Sequence, residues 1–180
     1  MASERLSAAA GYLQDMNRLF RTYKELGDKS LAQLGEQDMQ WKIEPESNSI
    51  AHLVKHLSGN FLSRWTDFLA SDGEKPWRNR DGEFEDSGLG RDEILRAWEA
   101  GWDCVFRALG QIDEDKLTQV ITIRGQPHTL IQALDRNLTH CAYHVGQIVF
   151  IAKARRSKDW ESLSIPKGKS RQFNAGTGAR

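Results

Sequence analysis

A chain of 180 residues, with Lys+Arg and Asp+Glu at 25 each and a formal net charge of zero, is long enough for one domain with a real core and too short for two comfortable ones. The balanced charge leaves no global field to draw in nucleic acid or anionic lipid, which argues against a general nucleic-acid binder. Cys104 and Cys141 give neither a disulfide framework nor a CxxC metal site, so buried thiols in a reducing compartment are expected.

The N-terminal stretch MASERLSAAAGYLQDMNRLF carries charges where a signal peptide would hold its apolar run. The longest apolar run elsewhere, Ile148 to Ala152, is far short of a membrane span. A soluble, cytoplasmic protein is therefore expected, with no membrane and no nucleic-acid partner.

Apolar residues recurring at steps of three and four predict four amphipathic helices. The first runs from about Ser3 to Leu26, with Leu6, Ala9, Leu13, Met16, Phe20 and Tyr23 as its seam. The second opens at Asn48-Ser49, where either residue can cap, and carries Ile50, Leu53, Val54, Leu57, Phe61, Trp65, Phe68 and Leu69 to about Ser71. A long loop, GEKPWRNRDGEFEDSGLG, follows at 73–90. The third helix spans about Arg91 to Leu109 and closes at Gly110. QVITIRGQPH, residues 119–128, fits a short strand or hairpin. The fourth helix starts after Pro127 under a Thr129 cap and ends on the basic run Lys153, Arg155, Arg156, which suits a helix C-terminus. The expected fold is all-α: a single four-helix bundle over residues 1–160 with long connecting loops and one short hairpin, then an irregular basic tail at 161–180 with a disordered end.

His140 and His144 stand four apart on the fourth helix, and an i,i+4 pair projects two nitrogens from one side, close enough for one metal ion. At about 100° per residue, His144 falls at the edge of the apolar stripe and His140 one step further out. His56 flanks the stripe of the second helix. Three histidines at such margins can meet around one ion in a partly open cleft, or simply face solvent. His52 and His56 form a second i,i+4 pair, with His52 deeper in the polar face. Neither the Glu-x-x-His signature of di-iron bundles nor H-E-x-x-H occurs.

The second-helix SIAHLVKHLSGN, followed far downstream by HCAYHVGQI, resembles the DinB-like superfamily of four-helix bundles, which includes the YfiT-type proteins. The resemblance covers about residues 5–155. It implies a metal triad at His56, His140 and His144 and a dimeric assembly. The stretch NFLSRWTDFLASDGEKPWRNRDGEFED and the tail LSIPKGKSRQFN look like a branch of unknown function.

Three neutral imidazoles leave coordination places open on a divalent ion, zinc or nickel first among them. Because the resembled superfamily includes thiol-dependent transferases, the leading expectation is activation of a low-molecular-weight thiol of the bacillithiol, mycothiol or glutathione type for attack on an electrophile. The alternatives are a non-catalytic metal-binding or dimeric interaction bundle and a metal-assisted hydrolase. Asn60, Asn137 and Gln147 are candidates to orient a ligand or a bound water, although ordinary surface asparagine is the readier account of the first two, and a close helix contact permitted by Gly146 equally explains the Gly146-Gln147 pair. In the 73–90 loop, Trp77, Arg80 and Asp81 are candidates for a substrate-holding lid, against the plainer reading of a solvated charged loop. Trp41, Trp77 and Trp160 lie outside the helical seams and suit a pocket or a dimer contact.

Overall fold

The computed structural model describes residues 6–172 and is mostly helical with a small two-stranded sheet. Helix α1 (Ala8–Leu31) begins under Ser7, whose Oγ accepts from the Ala10 amide at 2.9 Å. Helix α2 (Ile50–Trp65) begins under Ser49, α3 (Arg91–Leu109) after Gly90, and α4 (Leu130–Arg156) under Thr129. The Thr129 cap is reciprocal: its Oγ1 accepts from the Gln132 amide while the Gln132 side chain accepts from the Thr129 amide. Strands β1 (Val120–Ile123) and β2 (Gln126–Thr129) pair antiparallel, with Val120 opposite Thr129. Arg124 and Gly125, at φ 55° and 69°, form the two-residue turn that such a hairpin favours. β2 thus runs straight into α4.

Helix α2 packs against α3 and against α4, and α1 packs on α4 and α3. Of the 16 residues of α2, 13 are buried, so it is the central helix and not a surface one. Two neighbouring ridges run along it at steps of four. Leu53, Leu57, Phe61 and Trp65 are apolar, and His52, His56, Asn60 and Arg64 are polar; every one of the eight is no more than 8% exposed. The apolar ridge feeds a core centred on Trp102, which meets Phe20, Phe61 and Trp98 edge-on at centroid distances of 6.5, 5.0 and 5.4 Å. Such pairs add about 0.5–1.5 kcal/mol each beyond the area they bury.

Three boundaries differ from the sequence reading: the end of α2, the start of α1, and the end of α1, which runs on to Leu31 instead of stopping near Leu26. Helix α2 stops at Trp65 instead of near Ser71, because the chain turns through Asp67 at φ 48°. Phe68 is still buried, packed edge-on against Trp65, whereas Leu69 is exposed, so the apolar count continued past the true end. Leu6 lies outside α1 and is 67% exposed. The expected helical start at Ser3 and the expected disordered end of the tail fall partly outside the described residues. After α4 the chain returns to α1, where the Gln33 side chain exchanges two hydrogen bonds with the Glu161 backbone. Among the described residues, no helix is long and apolar enough to cross a membrane.

Candidate metal centre

The polar ridge of α2 faces the 73–90 loop and the polar side of α4. The loop runs back along the helix, opposite in direction, and answers the ridge residue by residue. Asp86 Oδ1 lies 3.0 Å from His52 Nε2, and Glu83 Oε2 lies 2.9 Å from His56 Nδ1. Lys55 donates to the Gly82 and Glu85 carbonyls. Gly59 lets the Glu83 carboxylate rest directly on the helix, since a Cβ there would collide with it. Gly73 packs in the same way against the Arg64 guanidinium. This corrects the plainer expectation of a solvated loop: its middle is packed on α2.

His56, His140 and His144 come together, with one ligand nitrogen from each lying within 4.8 Å of the others. His56 Nε2 and His140 Nε2 are 3.0 Å apart, against roughly 3.3 Å for two nitrogens at ~2.05 Å in a tetrahedral zinc shell. His56 and His144 are buried and His140 is half-buried. Two rings are aimed from behind. Glu83 accepts from His56 Nδ1–H, and the Gln147 carbonyl oxygen sits 2.8 Å from His144 Nδ1. Each partner leaves Nε2 as the bare nitrogen pointing to the centre, which is how ligating histidines are usually fixed. Burial, reinforced by the like charges of His144 and His56 and then by Arg78 and Arg64, pushes His140 down to about 3. Burial likewise lowers His144. Both rings are therefore neutral at physiological pH, the form a metal needs. The three histidines can hold a metal ion.

Glu83 is itself held. Burial opposes its ionisation, but hydrogen bonds from His56 and from Arg78 Nε and Nη2, at 2.8 and 2.9 Å, outweigh that and keep its carboxyl below the usual range. The Arg78 side chain is 2% exposed and bidentate. Phe84 covers His56 with ring centroids 4.9 Å apart.

The family model of DUF1572, proteins of unknown function, matches residues 7–169. The chain belongs to this family. A search of curated proteins found no match. The stretch matched to DUF1572 contains all four helices, the hairpin and the loop that carries Glu83.

The other site candidates of this DUF1572 chain divide. Gln147 touches the triad, as above. Asn60 and Asn137 are buried, not surface residues: Asn137 donates to Asn60 Oδ1 at 3.0 Å and accepts from Trp65 Nε1 at 2.9 Å, tying α2 to α4 beside the histidines. Their polar atoms serve each other instead of orienting a ring. Arg80 lines a cavity next to His56 and His140. Trp77 is 58% exposed and Asp81 is exposed on the 3₁₀ turn Asp81–Phe84, so neither reaches the centre. Gly146 meets nothing within 4 Å and permits no helix contact; it lines an outer groove with Ile43, Tyr143 and Phe150. Trp41 and Trp160 pack on the core.

His52 is excluded from the cluster by its own bonds. Its Nδ1 accepts from the Ser49 amide and its Nε2 meets Asp86. It is 3% exposed and not deep in a polar face, as the wheel suggested, because the loop covers that face. His128 lies half-buried on β2, away from the triad, with its Nδ1 3.0 Å from the Gln126 carbonyl. Sequence reading missed Gly59 and Arg64 and did not single out Glu83 from the loop's acidic cluster. The available signal was the step of four, 52, 56, 60, 64, running beside an apolar ridge.

Proposed function

We propose that this DUF1572 protein is a DinB-like four-helix bundle that holds a divalent ion, zinc or nickel, on His56, His140 and His144 and transfers a small thiol to an electrophile. The observation that carries this reading is the meeting of three imidazoles with no carboxylate among them, two already aimed from behind by Glu83 and Gln147. An all-nitrogen set of three suits a first-row ion and leaves room for a small molecule beside it. When bound, such an ion supplies Lewis acidity that lowers the pKa of a thiol or of water. The chain's own residues prepare the site. Glu83 fixes the tautomer of His56, burial keeps His140 neutral, and Phe84 shields His56 from water. Both oxygens of Glu83 are engaged, so it orients and does not act as a free base. No cysteine of the chain is needed. Cys141 is fully buried, which pushes its thiol well above the ordinary range, and Cys104 is 5% exposed.

The test has two parts. Elemental analysis of purified protein should show metal lost from His56→Ala, His140→Ala and His144→Ala and kept by His52→Ala; unchanged occupancy in the triple variant removes the centre. Protein loaded with zinc or nickel is then offered an alkylating electrophile with bacillithiol, mycothiol or glutathione, and free thiol is followed. Loss of thiol that depends on the ion and on His140 is expected. If the ion binds tightly and no thiol is consumed, the transferase reading fails and a non-catalytic metal-binding bundle remains.

A further inference from the structure

The fourth member of the polar ridge, Arg64, has no partner in the way His52, His56 and Asn60 do. It is 5% exposed, and its Nη1 is buried with no hydrogen-bond partner among the described residues. Buried guanidinium donors are almost always answered, because leaving them dry and unpaired is costly. Arg64 opens on a cavity of about 120 Å³ that also touches His56 and His140. Four more arginines line the same cavity: Arg78 and Arg80 from the loop, Arg124 from the hairpin turn and Arg136 from α4.

The carboxylates nearby do not balance this charge. Glu83 is taken by Arg78 and His56, and Glu74 pairs with Arg124 at 2.9 Å. Asp72 spends its oxygens on the amides of Glu74, Arg124 and Gly125. Among the described residues, Arg64, Arg80 and Arg136 make no ion pair. Burial, then the like charges of Arg136, Arg124 and Arg78, pull Arg64 down to about 10, partly offset by Glu74, and it remains charged at neutral pH. The chain as a whole is neutral, so this positive charge is a local concentration and not a general basicity.

We propose that this cavity is an oxyanion subsite, which receives the carboxylate or phosphate head group of a small-molecule substrate on Arg64, Arg136 and Arg80 and presents the adjoining reactive atom to the three histidines. Planar guanidinium forks match either head group in bidentate fashion. The volume fits a head group and falls well short of the roughly 300 Å³ at which drug-sized pockets begin, so the rest of the molecule extends toward the histidines or into solvent. The orientation of the reactive atom rests on the metal-centre reading above; the binding of the anion does not.

The experiment is calorimetric titration of the full chain, metal-loaded and chelator-treated, with inorganic phosphate and separately with acetate at low ionic strength. Saturable binding of at least one probe is expected in both metal states, and the preferred probe identifies the head group. Arg136→Gln, at an exposed position with no part in the core, and Arg64→Met should each weaken that binding by about tenfold or more. Both should retain their metal by elemental analysis. His140→Ala should lose metal and still bind the anion, which separates this subsite from the metal centre. The proposal is overturned if neither probe binds, if Arg136→Gln binds as well as the unaltered protein, or if binding disappears on chelation.

Discussion

The two ridges of α2 are buried alike and held in different ways. Leu53, Leu57, Phe61 and Trp65 need only volume around them, and the Trp102 cluster supplies part of it. His52, His56, Asn60 and Arg64 need a specific partner for each polar atom. Asp86, Glu83 and Asn137 answer the first three, and among the described residues nothing answers Arg64 Nη1. Burial by itself therefore says little about what a helix face is for. Where both ridges are dry, the polar one is told apart by its specific partners, which come from the loop 27 and 34 residues on for His56 and His52 and from α4 for Asn60.

Phe61→Ala should separate the ridges most sharply. It opens a cavity in the core and should cost about 3–5 kcal/mol in urea denaturation, with metal content unchanged in the protein that remains folded. Glu83→Gln should do the opposite in kind. It strands the buried Arg78 and loosens His56, costing about 2–4 kcal/mol and weakening metal about 10–100-fold in competition with a chelator. Gly59→Ala should reproduce the metal defect by pushing Glu83 off the helix, although no ligand or partner is altered. Retention of full metal affinity in Gly59→Ala would mean that the carboxylate does not aim His56.

Acid should act on the histidine site and its loop partner Glu83, and not on the apolar ridge. In metal-free protein, His140 has a folded value of about 3 against an ordinary 6.5, so below about pH 6.5 the unfolded chain takes up a proton that the folded chain refuses. Stability should fall as pH drops through that window, and Glu83, whose carboxyl is held low, should add to the loss below about 4.5. Urea midpoints measured between neutrality and pH 4 check this, and the slope should be shallower in His140→Ala. The smallest effect is expected for Gln147→Ala, about tenfold in metal affinity with little change in stability.

Much of the fold could be read because its signals are local. Ser49 and Thr129 cap where a cap was expected, α3 has the expected bounds, and VITIRGQPH forms the hairpin. The end of α2 could not be read, because Phe68 stays apolar and buried after the backbone has turned at Asp67. The histidines were legible through spacing and family resemblance. Of the cavity's arginines the loop's Arg80 was legible; Glu83, Gly59, Arg64, Arg124 and Arg136 were not, since they meet across separate elements in which no period links one residue to another. Asn60 and Asn137 look like surface residues until the partner helix is in place; each then satisfies the other.

The Glu83 carboxylate accepts from His56 with one oxygen and from Arg78 with both. That shared acceptor makes it an energetic hinge between the imidazole end of the site and the guanidinium end. Whatever coupling it carries between a metal on the imidazoles and an anion among the guanidiniums should be the same factor read from either end.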